Sequence, residues 1–198
     1  MPYPYCISRP GCLSLGMVDV RMARPHVALI MTIATENSAD VSRAFIEQAR
    51  QLIGAEYLPK IESCVQKLTD EQIWWRPNPE SNSIGNLLLH LCGNARQWIV
   101  CGLGNEPDER KRQTEFDARD WAPRDELLRT LRTTMAEVDS VLSSSDPSKL
   151  LTEYRIQGFE TTALAAIFHV TEHFSMHTGQ IILITKQLTA EDMRFYDL

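Results

Sequence analysis

Three of the five histidines recur at a spacing that places side chains along one flank of a helix. His169, His173 and His177 stand at i, i+4 and i+8 in the string FHVTEHFSMHTGQI. Residues at i and i+4 bring their Cβ atoms within about 6 Å, so two successive imidazoles of this series can reach one ion at about 2.0–2.1 Å. His169 and His177 are about 12 Å apart along the axis, too far to share one. The usable pair is therefore 173/177 or 169/173. At about 100° per residue the apolar stripe here is Val170, Phe174, Ile181, Ile184 and Leu188. His177 falls inside that stripe, His173 about 40° to one side and His169 about 80°, so burial favours 173/177. A third donor has to come from another helix. His90 lies beside the stripe Ile84, Leu88, Leu91, Ala95 and Trp98, on a polar strip with Asn86, Asn94 and Gln97. A bundle can bring His90, His173 and His177 together on a rim between helices with positions left open. Three neutral imidazoles leave the charge of a divalent ion uncompensated, which lowers the pKa of a bound water or holds a thiolate or carboxylate. The competing reading is three hydrogen-bonded core histidines. No H-E-x-x-H is present, so a zincin-type protease is not indicated.

The elements that must position these residues read as helices. The segment from about 40 to 68 carries Phe45, Ile46, Leu52, Ile53, Leu58, Ile61 and Val65 at helical intervals, with a kink expected at Pro59. Thr69 to Gln72 reads T-D-E-Q, a capping-box pattern, opening a short turn near 70–76 that Pro77 and Pro79 stop. A second long helix runs from about Ser83 to Gly102 and is followed by a polar connector, 103–122. The third begins near Pro123 and ends about Ser144, with Leu127, Leu128, Leu131, Met135, Val138 and Leu142 on its face. An irregular stretch with Tyr154, Ile156 and Phe159 precedes the last helix, about 161–188. That helix carries only Glu172 and Lys186 as charged residues, so it is expected to be the most buried element. Four such helices and no convincing strand pair predict an all-α four-helix bundle.

The chain has 198 residues, 43% hydrophobic and 23% charged, with 26 carboxylates against 20 Lys plus Arg and a formal net charge of −6. An acidic balance argues against binding nucleic-acid phosphates. The longest apolar runs, Val27 to Met31 and Ala163 to Phe168, fall far short of the about 20 residues that span a bilayer. Five cysteines, an odd number without C-x-x-C spacing, read as reduced thiols in a cytoplasmic protein. Cys92 and Cys101 read as small buried hydrophobes. Residues 1–37 differ from the rest: they hold four of the ten prolines and no periodic apolar face. They are expected to be a disordered or misannotated tail with Met31 as an alternative start, and an export signal is the rival reading because Arg21 and Arg24 precede the VALIM run. The domain is then 38–198.

The strings LLHLCGNARQW (88–98) and EHFSMHTGQI (172–181) resemble the DinB-like superfamily, and the run from Leu58 to Leu91 resembles one uncharacterised bacterial branch of it. The resemblance covers roughly residues 40–198. It implies an up-up-down-down four-helix bundle holding a divalent metal on His90, His173 and His177. Zinc and nickel are the leading candidates, iron or another transition metal the others. It also implies frequent homodimers, and relatives that are thiol-dependent S-transferases or isomerases using low-molecular-weight thiols. Thr178 stands where many relatives have Arg.

Together these readings predict a metal-dependent enzyme of the S-transferase kind, acting on a small electrophile with a low-molecular-weight thiol. No side chain is assigned the chemical step; a metal-bound water or thiol is expected to carry it. Asn94, Gln97 and His169 are candidates to orient the ligands from behind. Glu172 is expected on the surface, and Gly179 is expected to permit close helix packing. Of Trp74, Trp75, Trp98 and Trp121, most are expected to be core or loop anchors. A non-catalytic metal-binding or dimerisation bundle and a metal-assisted hydrolase are the alternatives.

Overall fold

In a computed structural model, residues 38–195 are described, Trp121 excepted. The expected N-terminal tail, 1–37, lies outside the described residues, as does Trp121. The first helix, α1, covers 38–66. Its middle, Gln51–Tyr57, is a π-helical stretch that passes directly into Leu58–Gln66. The helix continues through Pro59. Pro59 lacks the N–H that an α-helical register would require, and the π register immediately before it, with Leu58 N–H bonded to Ile53 O, widens the turn at that point. The expected capping box forms: the Thr69 side chain accepts from Gln72 N–H and the Gln72 side chain from Thr69 N–H, opening the one-turn helix α2, Asp70–Ile73.

Helix α3, Ile84–Ala95, starts on a second capping box between Ser83 and Asn86 and is prolonged by a π-helical stretch, Arg96–Cys101. The polar connector contains a short helix, α4, Arg112–Asp117. Helix α5 spans Arg124–Ser144 with Pro123 as its N-cap. Where an irregular stretch was expected, Glu153–Ile156 (β1) and Phe159–Thr162 (β2) pair antiparallel. Its two-residue turn has Gln157 at φ +53 and Gly158 at φ +83. Two positive φ values in a row define the mirror-image turns that match strand twist, and glycine supplies one of them without cost. The hairpin was illegible because four-residue strands give a weak alternation signal. Helix α6, Ala163–Thr189, completes the fold behind the N-cap Thr162.

The four long helices make the expected bundle, and side-chain contacts fix their directions. Arg50 bonds Asp139 and Arg132 bonds Glu62, so α1 and α5 are antiparallel. Arg96 meets Glu137 while the space at Gly104 abuts Val141, so α3 and α5 are parallel. His90 meets His173 and Asn94 meets His169, so α3 and α6 are antiparallel. Lys67, just beyond α1, meets Glu191, just beyond α6. The order is up-down-down-up, and the expected up-up-down-down is corrected. The physical reason is chain length: a parallel pair needs a connection as long as the bundle, and residues 102–123 between α3 and α5 provide it.

The core runs through all four helices. Ile61, Leu88, Leu91, Ile99, Leu131, Val170, Phe174 and Ile181 are buried at 1% exposure or less, so the apolar stripes of the sequence face inward. α6 is not wholly buried, because Phe168, Met176 and Leu183 remain exposed on its outer side. Gly179 is corrected as well: a Cβ there would meet no atom within 4 Å, so it does not mark close packing among the described residues. No helix of the described residues is long and apolar enough to cross a membrane. Truncating the fully buried Leu131 to Ala is expected to destabilise the fold by about 2–5 kcal/mol through lost contacts and a residual cavity. Leu151→Ala, at a side chain 75% exposed, is expected to change it by less than about 0.5 kcal/mol. Urea denaturation followed by circular dichroism measures both.

Candidate metal centre

The antiparallel seam between α3 and α6 brings His90, His173 and His177 together. His173 Nε2 lies 3.1 Å from His90 Nε2 and 3.0 Å from His177 Nε2. The donor atoms of the three residues all lie within 4.8 Å of one another. Two of the rings, His90 and His177, are turned the same way by what stands behind them. His90 Nδ1 is 2.8 Å from Glu115 Oε2. An ionised carboxylate only accepts, so His90 carries its proton on Nδ1 and directs the Nε2 lone pair into the cluster. Arg110 Nη2 also lies 3.2 Å from that Nδ1, but two donors cannot bond each other, and the shorter carboxylate contact decides the tautomer. His177 Nδ1 donates to Gln180 Oε1 at 2.6 Å, which again leaves Nε2 bare and facing inward. His173 Nδ1 has no partner.

Burial keeps His173 and His177 neutral. It pushes His173 down from 6.5 to about 3, with His177 and His90 adding to the effect. Burial lowers His177 too, against the opposing hydrogen bond from Gln180. The result is a knot of inward lone pairs with too few protons among them, since His173 can supply only one neighbour. The residues present therefore fit a cation: three neutral imidazole nitrogens is a donor set that zinc, nickel, copper and iron all accept.

The structure separates the remaining candidates. His169 is not in the cluster. Its Nε2 pairs with Asn94 Nδ2 at 3.2 Å, its ring stacks against His173 with centroids 5.6 Å apart, and Trp98 covers it at 4.4 Å. Asn94 thus supports the row of histidines one turn away from the centre. Gln97 touches none of the three rings; it accepts from Arg110 Nη1 at 2.8 Å and donates to Asp108 at 2.6 Å. Glu172 is exposed, as expected. Cys92 is a buried hydrophobe with its thiol pushed up to about 12 by burial. Cys101 is corrected: it is half-buried, donates to Pro107 O, and lines a cavity of about 340 Å³ with Gly93, Gln97, Arg110 and Glu115. Trp74 is an anchor, donating Nε1–H to Ala122 O at 3.0 Å, while Trp75 is exposed.

Glu115 and Arg110, the residues that sequence reasoning missed, come from the connector. Glu115 is buried at 8% exposure and accepts from Arg110 Nε at 2.7 Å and from Arg110 Nη2 at 2.8 Å. Burial works to raise its carboxyl, but the hydrogen bonds from Arg110 and His90 outweigh it and hold the group below the ordinary carboxylate range. Its backbone is clasped to α3 by Asn86, whose Nδ2 donates to the carbonyls of Glu115, Phe116 and Ala118 at 2.8, 3.4 and 3.1 Å. The Phe116 ring packs 4.7 Å from the His90 ring. One sequence signal did exist. Gly93 sits inside α3, where glycine costs about 1 kcal/mol relative to Ala. A Cβ at that position would collide with Glu115 Oε1 and come within 2.8 Å of Arg110 Nε.

The family model described as "Protein of unknown function (DUF1572)" matches residues 40–197. No curated protein matches the sequence. Among solved structures the chain is similar to a DinB-like protein from Bacillus cereus, with 17% identity over 67% of this chain and 85% of that one, at a TM-score of 0.54. It is similar also to a conserved protein from Enterococcus faecalis, with 15% identity over 77% and 97% of the two chains, at a TM-score of 0.57. At these identities the likeness establishes the fold.

The lowered His173 and His177 set a pH response for chelator-treated protein. Unfolding lets these rings return to about 6.5 and take up protons. Stability is therefore complete above about pH 6.5 and is expected to fall as the pH drops from there toward 3. Melting temperatures of metal-free protein between pH 8 and 4 measure it, and His173→Gln is expected to flatten the curve.

Proposed function

Because the chain belongs to the DUF1572 family, within the DinB-like superfamily, we propose that it is a divalent-metal-dependent enzyme of the thiol S-transferase kind. The observation that carries the reading is the meeting of three imidazole Nε2 atoms at 3.0 and 3.1 Å, with the outer nitrogens of His90 and His177 held by Glu115 and Gln180. Zinc or nickel is the proposed ion, with iron or another transition metal compatible with the same donors.

A divalent ion held by His90, His173 and His177 supplies Lewis-acid chemistry that makes a thiol or a water acidic at neutral pH. The protein's own residues do the rest. His90 and His177 keep their protons on Nδ1, so neither ring competes for the proton that the thiol releases. Glu115 is neutralised by Arg110, so the protein adds no net charge behind His90 and the centre stays cationic toward an anionic sulfur. Phe116 packs against the His90 ring and Trp98 against the His169 ring. In the transfer, the thiol S–H bond breaks, a carbon–sulfur bond forms to a small electrophile, and the leaving group departs with the proton.

The substrate is proposed to be a small molecule and the co-substrate a low-molecular-weight thiol. Free Cys64, Cys92 and Cys101 suit a reducing compartment such as the cytoplasm. A homodimer is proposed as well, supported by Phe168, Met176 and Leu183 standing exposed along one side of α6.

Elemental analysis of purified protein is expected to find about one divalent ion per chain. His90→Ala, His173→Ala and His177→Ala are each expected to abolish it together with thiol-dependent turnover across a panel of electrophiles. Full metal content in all three variants would end the reading. Bound metal without turnover would favour a non-catalytic bundle, and turnover that persists without thiol a metal-assisted hydrolase.

A further inference from the structure

The connector between α3 and α5 carries a buried ion pair directly behind one metal-binding histidine, and the bundle is built around it. The pair needs space, and Gly93 provides it one turn after His90. It also needs a fixed backbone. Asn86, one turn before His90, holds the carbonyls of residues 115, 116 and 118, and Arg76 reinforces this by bonding Asn86 Oδ1 and Ala118 O. It further needs orientation, which Gln97 gives by accepting from Arg110 Nη1. Four residues on successive turns of α3, Asn86, His90, Gly93 and Gln97, thus converge on Glu115 and Arg110.

A bulk structural role would not require this. A buried ion pair is weak stabilisation at best, since desolvation offsets most of its Coulomb gain. The contact it makes is directed: Glu115 Oε2 approaches the outer nitrogen of an imidazole whose inner nitrogen faces the cluster. We propose that Glu115 is a positioning residue for the metal centre, that it sets the tautomer and donor strength of His90, and that Arg110 trims its charge. This rests on the metal reading above. It adds an outer carboxylate to the centre and assigns the connector a role in binding.

The two halves of the pair then have opposite effects on the ion, and this separates positioning from mere packing. Glu115→Gln keeps size and an acceptor oxygen but leaves the Arg110 cation unpaired 3.2 Å from His90 Nδ1. Arg110→Gln leaves the carboxylate on His90 with its charge undiminished. Outer carboxylate partners of metal-binding histidines are worth about 10–100-fold in affinity. Zn2+ affinity, measured by competition with a chromophoric chelator, is therefore expected to weaken about 10–100-fold in Glu115→Gln. In Arg110→Gln it is expected to stay equal or become tighter. Melting of the metal-free variants reports stability separately; where Glu115→Gln does not fold, Glu115→Asp, which keeps the charge but falls one methylene short, carries the same expectation. Equal weakening in the Glu115 and Arg110 variants would show a structural ion pair and overturn the proposal, as would wild-type affinity in Glu115→Gln. A wild-type protein that binds no Zn2+ would instead overturn the metal reading, and this one with it.

Discussion

Three imidazoles that meet nitrogen against nitrogen at about 3 Å can serve one ion only while they stay unprotonated, and most of the architecture around them serves that condition. Two cations side by side in a low-dielectric setting would repel strongly, and the inward lone pairs are free for an ion only when the rings carry their protons on the far side. Burial supplies the first requirement by pushing His173 down to about 3. Acceptors behind the rings supply the second, Gln180 from the same helix one turn on and Glu115 from a distant part of the chain. His173, whose outer nitrogen has no partner, is the member that faces both others and completes the knot.

The carboxylate behind His90 is a consequence of topology. Since α3 and α5 run parallel, the chain must travel back along the bundle between them, and it does so along α3, where Asn86 and His90 hold it. Long connections are usually variable surface features. This one is drawn inward by Asn86 and Arg76, so a polar segment with no apolar periodicity becomes part of the wall of the site. The parallel helix pair and the outer carboxylate are two aspects of one path.

Much of this was legible in the sequence, for identifiable reasons. Long helices announced themselves through 3.6-residue apolar periodicity, and Thr69 through capping chemistry, because both signals are local. His90 and the 173/177 pair could be selected because helical angles relate each histidine to the buried stripe of its own helix. Helix directions were not legible, since periodicity is blind to polarity along the axis. Glu115 escaped because its partner is twenty-five positions away and nothing near it is periodic; only the out-of-place Gly93 pointed to a close approach. The hairpin escaped because four-residue strands seldom outweigh their surroundings.

The H-x-x-x-H-x-x-x-H series offered two overlapping pairs, and the partner helix decides between them. Moving four residues along α3 from His90 reaches Asn94; moving the same distance along α6 in the opposite sense, from His173, reaches His169. The rows therefore stay in step, and each position on one helix has a fixed counterpart on the other. Where α3 offers an imidazole, the row becomes a three-nitrogen centre. Where it offers the Asn94 amide, the row becomes a hydrogen bond at 3.2 Å, closed off by Trp98 one turn further. The amide nitrogen that faces His169 has no lone pair to give a metal, so this pair is a hydrogen bond. Antiparallel packing thus sets His173 opposite an imidazole of α3 and His169 opposite an amide, and the three-nitrogen cluster lies at one end of the histidine row.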